Sequence, residues 1–190
     1  MLTPDFLKAN FDRGLPYDAY VATGSADQQA RWRAAHDAIA LDDAQRSLIA
    51  SFTRRLHVLV SSGTWCGDCV VQVPMIAHAA AANPRSIHLR VFDRDAHAEF
   101  AQRVRICGGL RVPTVVFANE DFDFLTLHGD KSIARLRALA KKSLGASCEV
   151  PGAPQAADEK SASVQDWVTE FERAHLIARL SAKLRERHGD

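Results

Sequence analysis

Cys66 and Cys69 stand two residues apart in the run Trp65-Cys66-Gly67-Asp68-Cys69, and that spacing suits only a few kinds of chemistry. Two such thiols either exchange electrons as a dithiol and disulfide or supply half of a tetrahedral zinc site. Zinc needs a second clustered pair of ligands. Cys107 and Cys148 stand alone and the 8 histidines are spread along the chain, so no metal and no other cofactor is assigned.

The elements around the pair favour redox work. Leu56 to Ser61 (LHVLVS) is a short β-branched run that ends in Ser62-Gly63-Thr64, as a buried strand followed by a tight turn would. A helix then begins near Cys66 and runs through Pro74 to about Ala82, where Asn83-Pro84 ends it. Pro74 should remove one backbone hydrogen bond and kink or break that helix. At the helix start, the Cys66 thiol faces unpaired N–H groups and the positive end of the dipole, which populates the nucleophilic thiolate. Cys69, one turn on, can attack a mixed disulfide on Cys66 and release the reduced partner.

Ile87 to Phe92 alternates as a strand, Ala96 to Arg105 reads as a helix, and Thr114 to Ala118 is strand-like again. Asp123 to His128 pairs back as a hairpin strand, and Ile133, Leu136, Leu139 and Ala140 stripe a helix ending near Leu144. From Leu56 to Leu144 the order is β-α-β-α-β-β-α.

Residues 1–54 read as an N-terminal extension of two or three short helices packed on the core. Trp32, Ala35 and Ile39 lie at helical spacing after a Ser25 cap, and Leu48, Phe52 and Leu56 follow four apart. Residues 55–145 form the central domain. Residues 146–163 are small, polar and proline-containing, as a linker is. A last amphipathic helix occupies 164–190, with Val164, Trp167, Val168, Phe171, Ala174, Ala178 and Leu184 on its apolar stripe. That stripe must dock on its own domain or mediate a homodimer.

Composition narrows the functional classes. Of 190 residues, 24 are Lys or Arg and 23 are Asp or Glu, so no broad attraction to nucleic acid or an anionic membrane is implied. No apolar run approaches the roughly 20 residues needed to span a bilayer, and the first residues lack a secretory pattern. With only 4 cysteines the chain is no disulfide scaffold, and it reads as cytoplasmic.

The motif WCGDC, Pro74 after it, Val112-Pro113-Thr114 before an apolar strand and Gly129 before the last core helix resemble the thioredoxin family across Leu56 to Leu144. The resemblance implies an α/β thioredoxin-like fold, a central mixed sheet flanked by helices, here with added N-terminal helices and a C-terminal helix. It also implies a cis Pro113 against the cysteines, a Val112 backbone that pairs with a substrate strand, and an exposed Trp65 beside the motif. The alternatives are a trans Pro113 at an edge strand and a Trp65 packed on the motif helix.

Two departures stand out. The family's buried acid, six residues before the first motif cysteine, is replaced by Val60, and His57 lies on an undetermined face. The variable dipeptide is Gly67-Asp68, and the Asp68 carboxylate either opposes thiolate formation or merely complements the helix dipole. Cys107, six residues before Pro113, is either a third redox thiol or a small buried hydrophobe, and Cys148 is exposed and oxidisable.

The resemblance thus implies a thiol–disulfide oxidoreductase reducing protein disulfides, with Cys66 attacking, Cys69 resolving and an external reductase restoring the dithiol. Its competitor is a binding module that holds a partner through the Pro113 groove and the extensions with little turnover.

Overall fold

The computed structural model describes residues 1–144 and 158–189. Four helices precede the first strand: α1 (Pro4–Arg13), α2 (Tyr17–Val21), α3 (Ala26–Asp37) and α4 (Asp43–Ala50). Their starts are chemically marked. Thr3 caps α1 ahead of Pro4, and Ser25 with Gln28 and Asp42 with Gln45 form reciprocal capping boxes on α3 and α4. This is one helix more than the sequence suggests. The run of Leu48, Phe52 and Leu56 is not one helix either: α4 stops at Ala50, and Phe52 and Leu56 reach the core from a loop and a strand.

The domain proper follows as β1 (Leu56–Ser62), α5 (Gly67–Ala81), β2 (Ile87–Asp93), α6 (Ala98–Arg103), β3 (Thr114–Ala118), β4 (Phe124–Gly129) and α7 (Ile133–Leu144). The sheet order is β2-β1-β3-β4, with β1 parallel to β2 and antiparallel to β3, and β3 antiparallel to β4. The fold is therefore the mixed sheet with flanking helices expected from the sequence. Helix α5 runs unbroken through Pro74.

Strand alternation sorts the core into two layers. Val58, Val60, Val115 and Phe117 face the layer that holds α5, and Leu59, Phe92, Val116 and Ala118 face the layer that holds α1 and α6. Outer strand β2 is not left open at its N-terminal side of the fold. Gly14 ends α1 and passes so close to Arg90 that an added Cβ would lie 2.7 Å from its Cβ. Leu15 can then exchange backbone hydrogen bonds of 2.9 and 2.8 Å with Val91.

The C-terminal segment is two helices, α8 (Glu159–Leu180) and α9 (Ala182–His188). Helix α8 starts inside the stretch 146–163 read as linker, because the Asp158 side chain caps it by accepting from the Lys160 and Ser161 N–H groups. The remainder of that stretch, with Cys148, lies outside the described residues. Val164, Trp167, Val168, Phe171, Ala174, Ala178 and Leu184 are all buried in the α5-side layer, so the apolar stripe docks on its own domain. The surface that a homodimer through this stripe would use is covered within the chain. Trp167 Nε1 donates to Gln72 Oε1 on α5 at 2.6 Å, and Ser163 and Ser132 hydroxyls meet at 2.7 Å. Lys183 pairs with Asp123 at 2.6 Å, and Arg187 pairs with Asp121, which fastens α9 to the β3–β4 turn.

Candidate active site

Strand β1 delivers the chain to the motif and α5 receives it. Gly63 lies under the Trp65 indole, where an added Cβ would come within 2.6 Å of the ring, so the turn closes tightly only with glycine there. Cys66 is the N-cap of α5, in extended conformation, and its sulfur accepts the Cys69 N–H at 3.4 Å. This is the position the sequence predicts.

The two thiols occupy unlike environments. Cys66 is half-buried and Cys69 is 0% exposed. The Cys69 thiol pointing at the Cys66 sulfur, aided by the Cys69 and Asp68 N–H groups, pulls the Cys66 pKa down to about 6 against the opposing effects of burial and the Asp68 carboxylate. Burial first, and then the neighbouring Cys66 sulfur, push the Cys69 thiol far up. The two sulfurs thus differ in how readily each carries a negative charge.

The Val112-Pro113 peptide bond is cis, as the resemblance implies, and the Val112 carbonyl accepts from the Cys66 thiol at 3.6 Å. Just after it, the Thr114 hydroxyl donates to Arg111 O at 2.7 Å and ties the loop to the start of β3. Trp65 is 48% exposed, so it is not a packed core ring. The Arg94 guanidinium sits 4.9 Å from its ring centre and feels the Cys66 charge, which raises its own pKa after the larger effect of its bond to Asp95. Gly67 opens α5, and nothing lies within 4 Å of where its Cβ would be, which leaves that side of Cys66 uncrowded.

Asp68 is drawn into ion pairs with Lys131 at 3.1 Å and Arg135 at 3.4 Å. Its charge still opposes the Cys66 thiolate, but it also ties α5 to α7, a role beyond dipole complementation. Cys107 is exposed on a turn closed by paired Ile106 and Gly109 backbone bonds, with φ of 50°, so it is not a buried hydrophobe. Among the described residues no group of three or more His, Cys, Asp or Glu is arranged to hold a metal ion, and no helix is long and apolar enough to cross a membrane.

His57 settles on the face away from α5. Its ring stacks on Phe122 with centres 3.9 Å apart and its Nδ1 bonds to Asn119 O at 2.8 Å. It cannot serve the thiols. Sequence reasoning missed two groups that share the buried layer of Cys69. Trp32 on α3 donates to the Thr64 carbonyl at 3.0 Å, and Tyr20 on α2 lies near Ser62 and both cysteines. The only signal for Ser62 was its parity with Val58 and Val60, and the five-residue α2 carries no periodicity that would single out Tyr20.

A family profile described as thioredoxin matches residues 14–135. The chain belongs to the thioredoxin family. The match begins within the N-terminal helices, so this thioredoxin-family chain shares more with its relatives than the strand-and-helix core. A crystal structure of a protein of unknown function from Pseudomonas aeruginosa is similar with a TM-score of 0.67 and 24% identity, covering 92% of this chain and 99% of that one. An HIV epitope-scaffold is similar with a TM-score of 0.67 and 19% identity, covering 92% of this chain and 98% of that one. These likenesses extend the thioredoxin-like fold to include the added helices at both ends. No curated protein matches the chain.

Proposed function

We propose that the protein is a thiol–disulfide oxidoreductase that reduces disulfides of other proteins. The observation that carries this is the pairing of a half-buried Cys66, its pKa lowered to about 6, with a buried Cys69 whose N–H is 3.4 Å from the Cys66 sulfur. Around neutral pH Cys66 is then largely thiolate while Cys69 keeps its proton.

The cycle follows from that difference. The Cys66 thiolate attacks one sulfur of a substrate disulfide, the substrate S–S bond breaks, and the departing sulfur keeps the electron pair and takes a proton. Cys69 then attacks the Cys66 sulfur, closing the Cys66–Cys69 disulfide as the second substrate thiol leaves. Two electrons pass from the dithiol to the substrate, and an external reductase returns them. The Val112 carbonyl and N–H beside Pro113 would pair with the substrate backbone, and Trp65 with Gly67 and Asp68 would border it. We place this activity in the cytoplasm, where a C-x-x-C pair works as a dithiol and structural disulfides are rare.

The test is alkylation of Cys66 by iodoacetamide across pH, together with trapping of substrates on Cys69→Ser. A reactivity midpoint near the lowered Cys66 value, and proteins held on Cys69→Ser but not on Cys66→Ser, are expected. A midpoint at the ordinary thiol value with no trapped disulfides would favour the binding-module reading, which draws support from Val60 standing where the family carries an acid.

A further inference from the structure

The resolving step asks a difficult thing of Cys69. It must become a thiolate to attack, yet it is 0% exposed and its burial opposes the charge. On the α5 side of β1 the residues that face this layer are Leu56, Val58, Val60 and Ser62, and of these only Ser62 carries a polar side chain.

Ser62 ends β1 on the face turned to the layer that holds Cys69 in the first turn of α5, and its hydroxyl, with the Gly63 N–H, favours the Cys69 thiolate against burial. Tyr20 of α2 is buried in the same layer as Cys69, and the Ser62 hydroxyl acts on its phenol too. Ser62 is 0% and Tyr20 1% exposed, and neither hydroxyl completes a hydrogen bond of ordinary length within the protein. Buried hydroxyls left open are costly, and alanine at 62 with phenylalanine at 20 would fill nearly the same space without that cost. Their presence in the buried layer of a thiol that must acquire charge gives the cost a purpose: donors held in place before the charge appears need no reorganisation when it does.

We propose that the Ser62 hydroxyl donates a hydrogen bond to the Cys69 sulfur as it becomes a thiolate, and that Tyr20, from the N-terminal extension, positions Ser62 by donating to its oxygen. The inference rests on the dithiol cycle above. In the resolving step the Cys69 electron pair forms the bond to Cys66, the bond between Cys66 and the substrate sulfur breaks, and the substrate sulfur leaves with that pair. The proton lost by Cys69 ends on the departing thiol. Ser62 and Tyr20 keep their own protons throughout, so no further acid, base or oxidant is needed. The other titratable and charged groups whose fields reach Tyr20 or Cys66 are Asp93 at the end of β2, Asp68 beside Cys66, the two cysteines themselves, and Arg94, which feels both Asp93 and Cys66.

The experiment is stopped-flow reaction with dithionitrobenzoate, which releases one coloured thiolate when Cys66 attacks and a second when Cys69 resolves. It is run across pH on the full chain carrying Cys107→Ser and Cys148→Ser, so that only the motif thiols report. Ser62→Ala should leave the first release unchanged, slow the second about tenfold or more, and move its pH midpoint upward, as loss of a hydrogen bond to a charged atom does. Tyr20→Phe should act in the same direction by less, and Ser62→Thr, which keeps the hydroxyl, should stay close to the parent. A native second phase and midpoint in Tyr20→Phe and Ser62→Ala, with the first phase intact, would overturn the proposal. Should Ser62→Ala lose the first phase as well, Tyr20→Phe decides alone, since it removes one oxygen and no carbon. A parent chain that releases only one coloured thiolate would instead remove the dithiol cycle itself, and this inference with it.

Discussion

Past α1, which packs on the other face of the sheet, the N-terminal extension shares one layer of the domain with the C-terminal helices, and the two meet the motif segment at different places. From the N-terminal side, Trp32 holds the Thr64 carbonyl in the turn before Cys66, and Tyr20 is buried in the layer of Cys69. From the C-terminal side, Trp167 bonds to Gln72 in the body of α5, and Phe171 packs edge-on to Phe117 of β3 with centres 5.1 Å apart. Both extensions bury a tryptophan almost completely. The N-terminal side reaches both the turn before Cys66 and the last turn of α5, where His36 O meets His78 Nε2 at 3.1 Å, whereas the Trp167 bond is to the shaft. Added helices of similar burial then differ in kind if the proposal above holds, the N-terminal ones acting on the thiols and the C-terminal ones holding the scaffold that carries them.

The sharpest way to break this comparison is Trp167→Ala. Removing a buried indole should cost about 3–5 kcal/mol of stability, read as a lower denaturation midpoint. The surviving folded protein should alkylate at Cys66 with an unchanged pH midpoint. A shifted midpoint would mean that the C-terminal helix tunes the chemistry after all.

Trp32→Phe tests the other side at smaller cost. It deletes the bond to Thr64 O, worth about 1 kcal/mol, and keeps most of the apolar volume. Here the stability loss should be modest, while the Cys66 alkylation midpoint moves because the turn that presents the thiol is loosened. An unmoved midpoint would reduce Trp32 to core packing.

Acidification tests the C-terminal attachment. His175 Nε2 accepts the Thr53 and Arg54 N–H groups at 3.1 and 3.4 Å, and burial, with Arg179 and Arg54 nearby, holds its pKa below the ordinary 6.5. A base whose folded pKa is lowered binds fewer protons folded than unfolded, so stability falls as pH drops below about 6.5. Urea unfolding of the native chain should weaken from pH 7 to 5.5, and His175→Gln should flatten part of that slope. An identical slope in the variant would show that His57, His78, His88 and His97, all lowered by burial, account for it.

The smallest effect belongs to Asp68→Asn. It removes the carboxylate that opposes the Cys66 thiolate, while Lys131 keeps Asp130 and Arg135 keeps Glu159, so the Cys66 midpoint should fall further. The stability change should stay below about 1 kcal/mol, because the pairs are partly solvated. A rise in the midpoint would contradict the electrostatic account of this site.

Much of the fold is legible in the sequence because the signals are local. The β-branched run of β1, the alternation of β2, the stripe of α7 and the Ser25 cap each specify their own element, and the motif cysteines sit where strand hands over to helix. The positions that escaped depend on contacts between distant segments. Ser62 looks like a turn residue until it is seen as the last residue of a strand on the Val60 face, and Tyr20 gains meaning only when α2 is laid against β2. The start of α8 hid behind a polar stretch whose Asp158 acts as a cap. Pro74 gave a correct local rule, one lost hydrogen bond, and the burial of Val73, Met75 and Ile76 around it keeps the helix continuous.

The central claim is that Cys66 and Cys69 form a working two-electron couple. Its most direct test is the reduction potential of the pair, obtained by equilibrating the chain and a Cys69→Ser control in glutathione and dithiothreitol buffers and trapping thiols. A single reversible couple at about −270 mV, absent from the control, is the expected result for a reductant. A value at about −120 mV would reverse the direction of the cycle, and no reversible couple at all would contradict the account.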